Sequence, residues 1–294
     1  MASPLVRRTR RILIAGLIAL LAAAGLATLL VGDLRDLGSD YDNRLIGFER
    51  ARRLAYASFG LALPATPDLA DLKGRLAASG LALGAPVFIR ILKREFELEL
   101  WLARDGRFEH FATYPICRWS GRLGPKLKQG DRQAPEGIYT VSKHQLNPAS
   151  RWHRSFNLGF PNAYDRSYGR TGSFLMVHGG CSSIGCYAMT NAVIDEIWQI
   201  VSAALANGQP RFQVQVMPFR MTEANLAARA SHPSAPFWGQ LKTASDLFDR
   251  DRLPPETTVC RGSYAFAPAR VGSTAARPIL SNCNSRPASA GPAS

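Results

Sequence analysis

From Pro86 onward apolar and polar side chains alternate, first in VFIRILK, then in FELELWLA and, after Asp105-Gly106, in RFEHFATY. Alternation with a period of two marks a strand with one buried face. Asp-Gly between two such runs is a strong hairpin signal, because both turn residues tolerate positive φ. Shorter strand-like runs follow at Gly137 to Val141, Phe174 to Val177 and Phe212 to Val216. Between the last two the period changes. Val193, Ile194, Ile197, Trp198, Ile200 and Val201 fall on one side of a helix over Asn191 to Leu205. Together these predict a β-rich α+β domain with that helix laid on the sheet.

The flanks read differently. Arg7, Arg8, Arg10 and Arg11 precede Ile12 to Val31, an apolar run whose only polar side chain is Thr28. Such a run suits a bilayer core of ~30 Å, and the leading arginines keep the N-terminus inside. A cleaved signal ending near Ala22-Ala23-Ala24 is the competing reading, and both export the rest of the chain. The expected organisation is an anchor or signal over 1–32, a stalk with helical pieces over 33–85 and a catalytic domain over 86–220. A helical extension over 221–266 and a disordered tail over 267–294, poor in large apolar residues, complete it.

Chemistry concentrates in Phe174 to Thr190, FLMVHGGCSSIGCYAMT, where one histidine and two cysteines stand among glycines and serines after an apolar run. A thiol attacks as thiolate, which a nearby imidazole or helix N-terminus favours. Cys186, at the passage from strand to helix, is the candidate nucleophile, with His178 as its base. The backbone amides of Gly185, Cys186 and Tyr187 are placed to converge on an oxyanion. A zinc knuckle through His178, Cys181 and Cys186 is disfavoured, since no second paired-ligand motif occurs, and no metal or cofactor is expected. Burial of Cys186 as a small apolar side chain is the plain alternative. Cys181 lacks the glycine turn and following helix, so a structural role is expected, with Cys117 a candidate partner. Cys260 and Cys283 could pair, and Cys186 is the cysteine read as free.

These residues resemble the L,D-transpeptidases of the YkuD type, whose signature is His-Gly followed by Ser-x-Gly-Cys: here His178-Gly179 and Ser183-Ile184-Gly185-Cys186. The short spacing and the close Tyr187-Ala188-Met189-Thr190 resemble the branch related to the YafK murein hydrolase, as do Tyr114 to Tyr139 and Phe156 to Gly172. The resemblance implies a cell-wall enzyme acting at the diaminopimelate of peptidoglycan stem peptides, by transfer or by hydrolysis. Cys186 would form a thioester, His178 would move the proton, and the Gly179 carbonyl would orient the imidazole. A peptidoglycan-linked lipoprotein is a further partner implied by that branch. Ile184 and Ala188 depart from the commoner pattern, which has histidine and arginine there.

The formal net charge is +14, and basic residues crowd the stretch from Ile116 to Arg170. Such a field attracts anionic polymers. Arg118, Arg122, Arg166 and Arg170, with Ser183, are candidates for substrate contact in place of the arginine missing at Ala188; a solvated basic face near a membrane is the equal alternative. Tyr164 either lines the groove or packs. Nucleic acid is not expected, for want of a binding motif and given export. The site is therefore expected to face the periplasm from the inner membrane. A catalytically silent peptidoglycan-binding module is the other function class.

Overall fold

The computed structural model describes residues 41–269 and 276–283. The anchor or signal read over 1–32 lies outside the described residues, and among those described no helix is long and apolar enough to cross a membrane. The chain divides into units at Arg52 and Arg53. Helix α1 covers Tyr41–Ser58.

The larger unit is built on two five-stranded sheets. The first contains β1 (Val87–Leu92), β2 (Glu97–Arg104) and β3 (Arg107–Pro115), and the expected turn between β2 and β3 is present, with φ of 51° at Asp105 and 78° at Gly106. β4 (Arg118–Trp119) leaves for the second sheet, while β5 (Gly137–Ser142) returns to the first. β6 (Leu146–Ser150), β7 (His153–Asn157), β8 (Met176–His178) and β9 (Tyr187–Ala188) all join β4 in the order β4-β9-β8-β7-β6. Only β8 and β9 run parallel there. β10 (Arg211–Met217) closes the first sheet between β1 and β5, parallel to β1.

Alternation decides what each face does. In β2, Leu98, Leu100 and Leu102 are fully buried on one side, facing the same way as their register partners Ile91, Ile89 and Val87 of β1. The opposite side carries Glu97, Glu99 and Trp101. The helix α3 (Ala163–Ser167) precedes β8, and α4 (Asn191–Ala206) follows β9; α4 packs on both β7 and β1, tying the sheets together. Its Val193, Ile194, Ile197, Ile200 and Val201 are wholly buried, each worth about 1.5–3 kcal/mol relative to exposure. Within the stretch 33–85, expected to carry helical pieces, a short 3-10 turn (Leu69–Asp71) is followed by α2 (Leu72–Ala78).

After α5 (Glu223–Ala227) comes α6 (Ala235–Asp251), which covers part of the polar side of the first sheet, stacking Phe248 on Phe88 at 4.1 Å between ring centroids. The expected helical extension is corrected at its end by a hairpin, β11 (Glu256–Cys260) with β12 (Ser263–Ala267). The disordered tail is corrected within 276–283. Ile279 is buried, Ser281 bridges to Val259, and Cys283 is disulfide-bonded to Cys260, so this piece is held to β11 by a covalent link.

Candidate active site

The parallel pairing of β8 with β9 sets the geometry. Val177 lies beside Tyr187 and His178 beside Ala188. Register partners in adjacent strands point to the same side. Val177 and Tyr187 are buried in the core, so His178, Ala188, Met176 and Cys186 share the other side. Arg118 of β4 is paired directly with Ala188, which puts Cβ atoms about 4.5–5.5 Å apart and adds Arg118 to the same row.

Cys186 enters β9, and α4 begins only at Asn191, capped by the Thr190 side chain on the Val193 amide. The expected strand-to-helix passage is thus corrected: a short strand intervenes, and the helix N-terminus is not at the thiol. Gly185 makes the turn possible, at φ 122°, where a side chain would be strained. The Ser183 hydroxyl accepts from the Cys186 amide at 3.0 Å and the Gly185 amide at 3.3 Å, and donates to the Cys186 carbonyl at 2.7 Å. The amides of Gly185 and Cys186 do converge, and the point of convergence is filled by Ser183 Oγ, while Tyr187 belongs to the sheet.

The sulfur accepts from the Met176 amide at 3.4 Å and lies 3.6 Å from the Phe174 carbonyl. His178 is buried, with Nδ1 2.6 Å from the carbonyl oxygen of Gly179. A neutral imidazole holding that contact carries its proton on Nδ1 and leaves Nε2 basic. Burial lowers the His178 pKa against the raising effect of the Gly179 carbonyl. Burial also raises the Cys186 thiol, partly opposed by the Met176 amide and the field of Lys126. Both shifts favour the neutral forms of the two groups, so a nucleophilic sulfur here would have to give up its proton on attack.

The surrounding loops are rigidly held. Lys93, wholly buried, donates to Glu136 at 2.9 Å and to the carbonyls of Arg122, Gly124 and Ala134, while Glu136 also accepts from Trp238 at 2.8 Å. This satisfied pair pins the loop from Ser120 to Glu136. Within it Asp131 accepts from Lys126 and from the amide of Gln133, and the Gln133 carbonyl lies 3.5 Å from where a Cβ on Gly185 would be. On the other flank Trp152 covers His178, with 6.1 Å between ring centroids, and its carbonyl accepts from the Gly179 amide. Sequence reading missed Lys126, Asp131 and Trp152; only the crowding of charge before Gly137 hinted at the first two.

Two candidates for substrate contact are corrected. Tyr164 is 2% exposed and stacks on Tyr264 at 4.4 Å. Arg170 is buried, bonded to Asp165 at 2.8 Å and set over the rings of Tyr164 and Phe237. Both sit in the interior because α3 turns inward against the C-terminal hairpin. Arg166 is exposed and donates to the Pro161 carbonyl, and Arg122 is exposed on the pinned loop. Cys117 and Cys181 form a disulfide, so Cys181 is not available to a metal, and Cys186 is the free cysteine.

A β-rich fold carrying a free cysteine and a carbonyl-oriented histidine on adjacent strands defines a candidate cysteine-dependent acyl-transfer site. The family model for the YkuD L,D-transpeptidase catalytic domain matches residues 91–217, and the protein named "Putative L,D-transpeptidase YafK" from Escherichia coli K12 is 49% identical over 185 residues, covering 63% of this chain and 75% of that one. The chain belongs to the YkuD L,D-transpeptidase family. Among solved structures, the helical cell shape determining protein Pgp2 from Campylobacter jejuni overlaps 59% of this chain and 65% of its own at 20% identity, with a TM-score of 0.37. Bd1075 from Bdellovibrio bacteriovorus overlaps 55% and 60% at 16% identity, with a TM-score of 0.34.

Proposed function

We propose that this protein is a peptidoglycan-processing cysteine enzyme acting on the amide at the diaminopimelate of stem peptides. The observation that supports it most is the placement of the free thiol of Cys186 and the oriented imidazole of His178 on one side of the β8–β9 pair. In this reading Nε2 of His178 takes the thiol proton as sulfur attacks the carbonyl carbon, and the same proton passes to the departing amine. The product is a thioester on Cys186. An amine then gives transfer, and water gives hydrolysis.

The oxyanion would be met by the amides of Gly185 and Cys186 once the Ser183 hydroxyl rotates away, with the Gly179 carbonyl holding the imidazole throughout. Arg118 takes the carboxylate of the stem. Its pairing with Ala188 supports this, because a small residue at 188 leaves the row open for the arginine on the next strand. Export through the N-terminal segment would place the site in the periplasm, tethered to or released from the inner membrane, beside the wall and any lipoprotein attached to it.

Mass spectrometry of muropeptides from isolated walls, with lipoprotein still attached, tests this after incubation with the protein or with Cys186→Ala. New diaminopimelate crosslinks or exchanged terminal residues identify transfer, and split crosslinks or freed lipoprotein identify hydrolysis. Identical products from both proteins would leave a peptidoglycan-binding module as the better reading.

A further inference from the structure

The polar side of the first sheet is only partly covered by α6. The remainder forms a cavity of about 530 Å³, floored by Arg90, Glu99 and Trp101 and walled by Arg220, Asp249 and Arg252. That volume lies within the ~300–1,000 Å³ usual for small-molecule sites. Two of these six residues, Asp249 and Arg252, belong to the C-terminal extension, beyond the span 91–217 matched by the family model. The C-terminal extension thus supplies a wall that the catalytic domain lacks.

Hydrogen-bond bookkeeping shows what the cavity would accept. Glu99 takes Arg90 at 2.8 Å and Trp101 at 3.3 Å on one oxygen, and Arg220 at 2.9 Å on the other. Asp249 takes Arg90 at 2.9 Å and the Ser245 hydroxyl at 3.3 Å. Every carboxylate oxygen lining the cavity therefore already has a donor. Donors remain in surplus. The Arg252 guanidinium makes no hydrogen bond among the described residues. It lies 3.8 Å from Asp249 and 5.2 Å above the Trp101 ring, with its side chain 44% exposed. Stacking on the indole orients the guanidinium without using its N–H groups, which form a fork suited to two acceptor oxygens.

We propose that this cavity is a second ligand site, separate from Cys186, which binds a compact anion through a carboxylate or phosphate group held by Arg252. Such chemistry occurs both in the carboxylates of wall stem peptides and in phosphate-bearing molecules. Stacked Arg252 supplies the bidentate contact, and the Thr222 hydroxyl, which accepts from the Asn225 amide at 3.1 Å, has its own proton free to donate.

Isothermal titration of the full-length protein at low salt, with inorganic phosphate, citrate and a disaccharide tetrapeptide as separate probes, tests the site. At least one probe should bind, at least tenfold more weakly to Arg252→Gln than to the parent. Arg250→Gln, which removes an arginine whose side chain is 62% exposed outside the cavity, should leave binding unchanged. Phosphate alone would assign a phosphate-bearing ligand, whereas citrate with the tetrapeptide would assign a carboxylate. Cys186→Ala should bind the small acids as the parent does, whatever becomes of the proposed reaction. Absence of binding by all three probes, equal weakening by Arg250→Gln, or loss of citrate and phosphate binding in Cys186→Ala would overturn the proposal.

Discussion

His178 Nδ1 is 2.6 Å from the carbonyl oxygen of Gly179, the next residue in the chain. A histidine oriented by its own neighbour needs no acidic side chain to select its tautomer. The backbone there is itself held, because the Gly179 amide donates to the Trp152 carbonyl at 3.1 Å, and a Cβ on Gly179 would come within 2.7 Å of the Asn191 side chain.

His178→Ala should therefore remove the proposed base without unfolding the protein. Turnover of muropeptides should fall by about 10²–10⁴-fold, the usual worth of a general base. The melting temperature should change little. Turnover within twofold of the parent would remove His178 from the reaction.

Alkylation of Cys186 carries a pH signature. Because burial raises the thiol, the thiolate fraction at neutral pH is small, and the rate with iodoacetamide should still be climbing above about pH 8.5, where an ordinary free cysteine is half ionised. Burial lowers the His178 pKa, so below neutrality protonation of the imidazole should begin to cost activity only at a pH under that of a free histidine. A rate already flat at neutral pH would mean a preformed thiolate and a different resting state.

Thiol counting checks the covalent frame. Denatured, unreduced protein should take up one label per chain, at Cys186, with Cys117–Cys181 and Cys260–Cys283 protected. The first bridge spans a sequence separation of 64 residues, and loop-closure entropy makes a link of that length worth roughly 4 kcal/mol. Cys117→Ser should lower the melting temperature accordingly and free Cys181 for labelling.

Arg170→Ala should damage folding and leave substrate affinity alone. Asp165, 1% exposed, would lose its ion-pair partner, and breaking a buried pair from one side costs about 3–5 kcal/mol. Thermal melting against KM separates the two readings. A raised KM with unchanged melting would return Arg170 to the substrate groove.

Periodicity carried most of the first sheet. β1, β2, β3, β5 and β10 were legible because each is a short run rich in apolar and β-branched residues, and the Asp105-Gly106 turn announces itself. β6 and β7 were not. LNPAS and HRSFN show no alternation, since β6 is the edge of the second sheet, where even Pro148 costs no ladder bond. The site was legible in the same uneven way. Cys186, His178 and Gly179 stand in a local motif, and local motifs survive reading one residue at a time.

By itself, then, the sequence determined the class of domain, the family and the turn that carries the candidate site, because these depend on side-chain chemistry and on spacings of a few positions. The tertiary structure decided which arginine stands beside the row of His178 and Ala188 and which is buried. Arg118 lies in that row through a pairing with Ala188 seventy positions away, while Arg170 is turned into the interior onto Asp165. It also decided that Ser183 occupies the amide nest and that Lys93 and Glu136 neutralise each other inside the protein. The reason is physical. Whether a charge is solvated, paired or aimed at a substrate depends on what distant strands place around it, and the side chain alone carries no mark of that.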